Sequence, residues 1–239
     1  MRGVILAGGS GTRLKPLTNV TNKHLLPVYD KPMIMYPLGT LLKAGITDIL
    51  IVTGKESAGD FMKLLGSGHE LGCRLTYRLQ DESGGIAQAL SLAEDFAGSH
   101  KFAVILGDNI LAEDVGPAIK SFEADKAEAT VFLKQVPDAQ RFGVADLTGD
   151  KVVSIVEKPA KPKSNFAVIG LYLYSPSVFS VIRSLKPSAR GEYEITDVNT
   201  HYVKSGKLGY HILKGEWTDA GTFESLHKAA AIARNSKKI

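Results

Sequence analysis

The chain has 239 residues, 44% of them hydrophobic, and its 29 Lys and Arg against 25 Asp and Glu give a formal net charge of +4. A chain of this length buries a full core, and α/β folds of this size commonly form one domain, which we expect to span residues 1–239. The modest basic excess suits an anionic small molecule better than a nucleic-acid groove.

The cysteine content and the apolar runs exclude further classes of protein. A single cysteine, Cys73, excludes an intrachain disulfide. No apolar run approaches the roughly 20 residues of a membrane span, and the first residues are typical of a strand rather than a signal peptide. We therefore expect a cytoplasmic protein with neither a membrane nor a nucleic acid as its partner.

The first half of the chain alternates between apolar runs and helical patterns. The runs predict strands at 3–6, 48–52, 74–78 and 102–106, and the patterns predict helices at about 33–44, 57–65, 84–96 and 114–125. This βαβα order is typical of a parallel, doubly wound sheet.

The order changes in the second half. Strand-like runs occupy Ala129–Lys134, Gly143–Leu147, Val152–Val156, Ala167–Tyr174 and 207–213, with helices at 177–184 and at about 194–205 and 222–235. We therefore expect an α/β fold with a doubly wound, Rossmann-like, mixed and mainly parallel sheet. Helices should cover both faces, and the second half should add antiparallel strands.

Three glycines at positions 8, 9 and 11 follow the first strand and predict a phosphate-binding loop. Glycines let the chain turn and bring several backbone N–H groups close to one anion. Arg13 and Lys23 add positive charge nearby. The loop is not a dinucleotide fingerprint, because Leu14 replaces the third glycine of G-x-G-x-x-G, and the Gly-Lys-Ser/Thr of a P-loop is absent.

Two aspartates follow predicted strands. Asp108 comes directly after the run at 102–106, and Asp219 lies between the last predicted strand and the last helix. Ligands of open α/β sheets bind at the carboxyl ends of the strands, and two carboxylates at that edge suit Mg²⁺. Alternatively, Asp108 ends its strand in a turn and Asp219 caps the helix that begins near Thr222. Spacing alone leaves both interpretations open.

Glu157 and Lys158 stand side by side at a strand end. Alternation places neighbouring side chains on opposite faces unless Pro159 bends the chain, so either residue is a binding group or a solvated strand end. The histidines form no zinc-ligand spacing. His24, next to Lys23, is interpreted as a surface or packing residue.

Several segments together carry a resemblance to a known family: Gly8–Leu14, Asn22–Val28, Leu106–Asn109, Glu157–Pro159, Arg190–Asp197 and Trp217–Gly221. In this order they resemble the sugar-nucleotide pyrophosphorylases, and among these the glucose-1-phosphate thymidylyltransferases, over nearly the whole chain. The resemblance implies Mg²⁺-dependent transfer from dTTP to glucose 1-phosphate. The products are dTDP-glucose and pyrophosphate, in the first step of dTDP-rhamnose synthesis.

The resemblance also implies roles for individual residues. Residues 1–125 would form a nucleotide-binding half that uses Leu6, Gly8, Gly9, Ser10, Gly11, Thr12, Arg13, Gln80, Gly85 and Asp108. Residues 126–239 would form a sugar-phosphate half that uses Gly143, Glu157, Lys158, Val168, Tyr172 and Arg190, together with Leu106 from the first half. Catalysis is expected from Arg13, Lys23, Asp108 and Lys158, and the metal from Asp108 and Asp219.

Alternatives and departures accompany this resemblance. UTP or another sugar 1-phosphate, or a non-catalytic sugar-nucleotide-binding role, remain alternatives, whereas the glycine spacing disfavours a dehydrogenase. His24, Phe142 and Ile169 replace residues common in the family, namely glutamine, tyrosine and threonine. We expect a short form without the C-terminal helical extension of longer members, and a homo-oligomer, dimer or tetramer, by resemblance.

Overall fold

A computed structural model describes residues 1–236 of the chain. The strands are β1 (Arg2–Ala7), β2 (Pro27–Val28), β3 (Lys31–Pro32), β4 (Asp48–Gly54), β5 (Arg74–Gln80), β6 (Phe102–Leu106), β7 (Asn109–Leu111), β8 (Ala129–Gln135), β9 (Gly143–Thr148), β10 (Lys151–Glu157), β11 (Phe166–Tyr174), β12 (Leu208–Ile212) and β13 (Trp217–Asp219). The helices are α1 (Met35–Lys43), α2 (Ala58–Leu65), α3 (Ile86–Ser91), α4 (Glu94–Ala97), α5 (Gly116–Ala124), α6 (Val178–Ser184), α7 (Ile195–Lys204) and α8 (Phe223–Ser236).

The apolar runs of the first half form the parallel part of a single sheet. β1 lies between β4 and β6, and β5 pairs with the outer side of β4, all in parallel. The central residues of β1, β4 and β6 are fully buried. Strands covered on both faces need such continuous apolar runs, which is why the sequence signal was strong here.

The second half extends the same sheet with antiparallel strands. The long strand β11 pairs with β8 along one side; on the other side its first residues pair with β9 and its last residues with β6. β10 pairs antiparallel with β9, and β12 pairs parallel with β8. The expected mixed, mainly parallel sheet with added antiparallel strands is therefore confirmed.

Helices cover both faces of this sheet. One group of buried side chains joins the strands to α3, α6 and α7, and a second joins them to α1, α2 and α5. A third, smaller group lies under α8 and includes Leu14 and Ile110. None of the helices within residues 1–236 combines the length and the apolar character that a bilayer span requires.

Two local elements differ from the sequence prediction: one predicted helix is divided, and one strand pair was not predicted. The helix expected at 84–96 is divided into α3 and α4, because the Ala93 N–H bonds to Leu90 three residues back and tightens the turn. The sequence also missed the antiparallel pair of β7 and β13, each of which has three residues, too few to show a period. The last strand before α8 is therefore β13 rather than the run at 207–213.

Candidate functional site

A cavity of about 450 Å³ opens at the carboxyl ends of β1, β5 and β6. Most of the residues expected from the sequence line it, on both the nucleotide and the sugar-phosphate side: Leu6, Gly8, Gly9, Ser10, Arg13, Lys23, Gln80, Gly85, Leu106, Asp108, Gly143, Glu157, Lys158, Val168, Tyr172, Arg190 and Asp219. The cavity thus brings together groups from both halves of the chain at the sheet edge where ligands of such folds bind.

Gly11 and Thr12 are not among the residues that line the cavity, and their part in nucleotide binding stays a prediction. Gly11 has a φ of 65°, in the left-handed region, and a Cβ there would lie 2.8 Å from the Cβ of Lys23. Thr12 is exposed and begins a short 3-10 helix, Thr12–Leu14. These two residues therefore shape the loop and let Lys23 pack against it, rather than face the cavity themselves.

Asp108 and Lys23 form a close ion pair in the wall of the cavity. The Nζ of Lys23 donates to Oδ2 of Asp108 at 2.6 Å, and the Asn109 side chain donates to Oδ1 at 2.9 Å. Burial opposes the charge of Asp108, but the charge of Lys23, together with His24 and the hydrogen bonds from Lys23 and Asn109, outweighs this effect and holds the pKa of the carboxyl well below its usual range. Asp108 is therefore ionised at neutral pH.

Asp219 lies beside this pair, and its pKa is shifted in the opposite direction to that of Asp108. In the β7–β13 ribbon Asp219 is opposite Asn109, the residue that follows Asp108. Burial and the charge of Asp108 raise the pKa of Asp219 from 3.8 to about 6, although Arg141, Arg13 and Lys23 partly oppose the shift. Asp219 therefore takes up a proton much closer to neutral pH than Asp108 does.

Asp219 does not cap the last helix, which removes the alternative interpretation of this residue. Thr222 and Ser225 cap α8 instead: the Ser225 N–H donates to Oγ1 of Thr222, and the Thr222 N–H donates to Oγ of Ser225. These bonds satisfy N–H groups that the first turn of a helix leaves unpaired. The Asp219 carboxylate is thus left to face the cavity.

The donor set of these aspartates fits a cation that is shared with a phosphate. Magnesium typically takes one or two carboxylates and completes its shell with water and substrate phosphates. Within residues 1–236, no group of three or more His, Cys, Asp or Glu side chains is placed to hold a metal ion. A cation bound between Asp108 and Asp219 would therefore complete its shell with water and substrate oxygens.

The backbone conformation at Lys158 decides which way the Glu157 and Lys158 side chains point. Its φ of 42° lies in the left-handed region, which is uncommon for a residue other than glycine. The backbone N–H of Lys158 donates to the carbonyl of Phe142 at 3.0 Å, which holds this turn. As a result both side chains line the cavity, with Nζ of Lys158 3.5 Å from Oε1 of Glu157.

The Arg190 guanidinium is held in place by the carboxylate of Glu194, a residue that the sequence analysis did not single out. Its Nε and Nη2 donate to Glu194 in three hydrogen bonds of 2.8 to 3.2 Å. Ser188 also donates to this carboxylate at 2.7 Å. Glu157 and Glu192 lie at 3.5 and 3.6 Å from Nη2. This arrangement fixes the guanidinium before any ligand is bound.

The Gln80 side chain is fixed by a second glutamine, Gln88. Its Nε2 donates to Oε1 of Gln88 at 2.7 Å, and its Oε1 lies where a Cβ at Gly8 would approach within 2.1 Å. Gly85 has a φ of 97°, and a Cβ there would lie 2.7 Å from the Tyr193 carbonyl. Both glycines therefore make room for neighbouring chain atoms as well as lining the cavity.

His24 is a buried packing residue and not a surface residue. Its Nδ1 lies 2.8 Å from Oδ1 of Asn22, and its ring packs against Gly107, just before Asp108. Burial, assisted by the charge of Lys23, lowers the pKa of His24 to about 3. The imidazole is therefore neutral at physiological pH.

Sequence reasoning missed several residues that line the cavity, among them Asn109, Arg141, Glu194 and Trp217. Asn109 is almost fully buried, and its Oδ1 accepts hydrogen bonds from the Gly170 N–H at 3.0 Å and from Nε1 of Trp217 at 2.8 Å. Only its position directly after Asp108 in the sequence could have indicated Asn109 as a site residue. Its hydrogen bonds to Gly170 and Trp217 join segments that are far apart in the chain and leave no local sequence pattern.

Comparison with known proteins agrees with this geometry. A family model described as nucleotidyl transferase matches residues 2–236. A glucose-1-phosphate thymidylyltransferase of Neisseria meningitidis is 46% identical over 243 residues, which cover 100% of this chain and 84% of the relative. The enzyme of the same name from Mycolicibacterium smegmatis is 48% identical over 238 residues, covering 98% of this chain and 82% of the relative.

Solved structures show the same fold. A Bacillus anthracis protein, assigned as a glucose-1-phosphate thymidylyltransferase and crystallised with sucrose, has a TM-score of 0.95 at 55% identity, with 98% of this chain and 96% of that chain covered. A UDP-glucose pyrophosphorylase in complex with UDP-glucose has a TM-score of 0.86 at 27% identity, with 98% of each chain covered. The resemblance expected from the sequence is confirmed, and the chain belongs to the nucleotidyl transferase family.

Proposed function

We propose that this protein transfers the thymidylyl group of dTTP to glucose 1-phosphate, forming dTDP-glucose and pyrophosphate. The observation that carries the proposal is that one cavity is lined by two carboxylates, Asp108 and Asp219, together with the basic residues Arg13, Lys23 and Lys158. Such a site suits the meeting of two phosphate-bearing substrates.

The chemistry requires little covalent help from the protein. A phosphate oxygen of glucose 1-phosphate forms a bond to the α-phosphorus of dTTP, and the bond to the β-phosphate oxygen breaks, which releases pyrophosphate. The nucleophile is already anionic, so no general base is needed. Repulsion between the two anions must be overcome, and positioned cations in a shielded site do this.

Individual residues have distinct parts in this scheme. The backbone of Gly8, Gly9 and Ser10 holds the triphosphate, and the Arg13 guanidinium pairs with its phosphates. Lys23, held by Asp108, supplies positive charge near the α-phosphorus. These roles are supported by the common cavity and by the family resemblance.

The sugar phosphate is bound on the other side. Lys158 and Arg190 provide the charges for its phosphate group, and Glu157 accepts hydrogen bonds from sugar hydroxyls. Lys158→Ala should raise the KM for glucose 1-phosphate much more than the KM for dTTP. An unchanged KM for glucose 1-phosphate would contradict this role.

Asp108 and Asp219 would together hold Mg²⁺, whose charge would neutralise the phosphates at the centre of transfer. The chain's own contribution is to keep Asp108 ionised through Lys23 and to bring Asp219 beside it through the β7–β13 ribbon. Asp108→Asn should abolish metal-dependent turnover while it leaves the fold intact. Near-normal turnover of that variant would contradict the metal assignment.

In this proposal the Gln80 amide meets the pyrimidine edge, which thymine and uracil share. The two nucleotides differ by one methyl group and one ribose hydroxyl, and a methyl in an apolar pocket contributes only about 1–3 kcal/mol. UTP therefore remains the alternative substrate, and one structural relative is a UDP-glucose pyrophosphorylase. The proposal also includes a cytoplasmic homo-oligomer at the first step of dTDP-rhamnose synthesis.

The test is pyrophosphate release by the purified protein with glucose 1-phosphate and Mg²⁺, with dTTP, UTP, CTP, ATP and GTP in separate reactions. We expect the fastest release with dTTP and none after addition of EDTA. A fastest reaction with UTP would replace the nucleotide assignment. No release, with dTDP-glucose still raising the melting temperature, would indicate a sugar-nucleotide-binding protein instead of an enzyme.

A further inference from the structure

The ribbon of β7 and β13 carries the two aspartates at one of its ends. Asp108 directly precedes β7, and Asp219 is the last residue of β13, opposite Asn109. Within residues 1–236 these two strands pair only with each other, over three residue pairs. A two-stranded ribbon is at most marginally stable by itself. The position of Asp219 relative to Asp108 therefore depends on the groups that anchor the ribbon.

The end of the ribbon away from the aspartates is closed by Glu113. The Ala112 N–H donates to the Glu216 carbonyl at 3.0 Å, which extends the pairing one step beyond β7 and β13. The next residue, Glu113, accepts at Oε2 from the backbone N–H groups of Lys214 at 2.7 Å and of Gly215 at 2.6 Å. One carboxylate therefore holds the connection between β12 and β13.

The packing and the charge of Glu113 agree with this role. A Cβ on Gly215 would lie 2.9 Å from Cβ of Glu113, so the close approach requires glycine at position 215. Burial opposes the charge of Glu113, but the bonds from Gly215, His211 and Lys214 outweigh this effect and lower the pKa of Glu113. The carboxylate is therefore ionised at neutral pH, and bonds to an ionised acceptor are stronger than those between neutral groups.

The carbonyl groups of the same connection are held by a side chain of opposite charge. Nζ of Lys134 donates to the carbonyls of Leu213 at 3.3 Å and of Lys214 at 3.1 Å. Neither Glu113 nor Lys134 is among the residues that line the cavity. Two charged side chains outside the cavity thus fix both the N–H and the C=O groups of the segment that leads into β13.

We propose that Glu113 is a positioning residue, which holds the β7–β13 ribbon from the end away from the cavity and so keeps the Asp219 carboxylate beside Asp108. The inference rests on the proposed function, in which these two carboxylates hold Mg²⁺. Groups that orient metal ligands typically contribute about 10- to 100-fold in metal affinity. Glu113 should therefore affect the response of the protein to Mg²⁺ and leave the binding of the sugar phosphate unchanged.

The first measurement reports on β13 itself, without ligand and in EDTA. Trp217, the only tryptophan of the chain, is the first residue of β13 and is 4% exposed. Glu113→Gln replaces one of the two carboxylate oxygens with an NH2 group, which cannot accept the N–H groups of the connection. We expect Trp217 emission to move to longer wavelength and acrylamide to quench it more, because water reaches a loosened ribbon.

The second measurement is calorimetry of dTTP binding in EDTA and in Mg²⁺. In Glu113→Gln, the gain in dTTP affinity that Mg²⁺ provides should be about 10-fold smaller than in the wild type. The affinity in EDTA and the KM for glucose 1-phosphate should be unchanged. Gly215→Ala should act in the same direction, because the added Cβ displaces Glu113 without removing its charge.

The matched control is Glu128→Gln, because Glu128 is also a partly buried carboxylate held by two partners, Ser177 at 2.9 Å and Lys207. Glu128 directly precedes β8 instead of adjoining the ribbon. This variant should keep both the Trp217 emission and the response to Mg²⁺. Unchanged emission or an unchanged Mg²⁺ response in Glu113→Gln would overturn the proposal. An equal loss of dTTP binding with and without Mg²⁺ would overturn it as well, because the effect would not act through the metal ligands.

Melting temperatures show whether Glu113→Gln folds; if it does not, Gly215→Ala provides the test, with the same expected changes. The wild type tests the proposed function separately. A wild type whose dTTP binding and turnover do not respond to Mg²⁺ contradicts the proposed function. A wild type that responds, with both variants responding equally, contradicts only the inference about Glu113.

Discussion

Asp219→Asn is expected to make the metal-free protein more stable at neutral and alkaline pH, although it removes a functional carboxylate. In the folded protein the pKa of Asp219 rises from 3.8 to about 6, first because the carboxyl is buried and second because Asp108 is charged. The ionised carboxylate is therefore less favourable in the folded state than in the unfolded chain. Asparagine has nearly the same shape and carries no charge.

The magnitude follows from linkage between protonation and folding. A pKa that is higher in the folded state means that this carboxyl favours folding below pH 3.8, and that the benefit is lost as the pH rises through 6. At about 1.4 kcal/mol per pH unit, the ionised carboxyl costs about 3 kcal/mol at pH 8. For a chain of this size we expect a gain of roughly 6 to 12 °C in melting temperature for Asp219→Asn.

The assay is urea unfolding of wild type and Asp219→Asn in EDTA at pH 5 and pH 8. The stability difference should be largest at pH 8 and should shrink as the pH falls below 6, where the wild-type carboxyl takes up a proton. Asp150→Asn is the control, because Asp150 lies exposed in the turn between β9 and β10. That variant loses the same negative charge from an exposed position, so its stability should differ little from that of the wild type at either pH.

A second arm adds Mg²⁺ and a substrate phosphate. The wild type should gain stability when a cation binds the two carboxylates, whereas Asp219→Asn should gain much less and should turn over poorly. If Asp219→Asn has the same stability as the wild type at both pH values, then burial and the charge of Asp108 do not destabilise the ionised Asp219 carboxylate. A variant that is destabilised at pH 8 would refute the reasoning more strongly.

Two further substitutions test how side chains are positioned in the cavity. Glu194→Gln should release the Arg190 guanidinium and raise the KM for glucose 1-phosphate about 10-fold or more, with the KM for dTTP unchanged; equal changes in both constants would contradict a positioning role. Gly8→Ala should displace Gln80, whose Oε1 is 2.1 Å from the added Cβ, and reduce the preference for dTTP over CTP, measured as a ratio of kcat/KM. Gly39→Ala, where an added Cβ meets no other atom of residues 1–236 within 4 Å, should keep the wild-type ratio.

Local sequence patterns were sufficient to predict the parts of the site that are formed by one continuous segment of the chain. The buried strands β1, β4 and β6 are read as apolar runs because their side chains meet other apolar groups on both faces. Asp108 follows β6 directly, so the strand end alone placed it at the ligand-binding edge. The glycine loop was recognised in the same way, from residues adjacent in the chain.

Contacts between segments that are far apart in the chain could not be predicted from local sequence patterns. Glu194 holds Arg190 and Gln88 holds Gln80 through side-chain hydrogen bonds that no periodicity records. The left-handed backbone at Lys158 was also not predicted, because a lysine has no preference for that conformation. It depends on the hydrogen bond to Phe142 across the β9–β10 pair.

The sequence by itself determined the order of strands and helices, the phosphate-binding loop and the family resemblance, because these depend on residues close together in the chain. Only the tertiary structure decided that Asp219 stands beside Asp108 instead of capping a helix, and that Glu194 holds the Arg190 guanidinium. The physical reason is that burial and the fields of neighbouring charges are properties of assembled segments. The raised pKa of Asp219 and the low pKa of Asp108 arise when β6, β7 and β13 meet at one edge of the sheet.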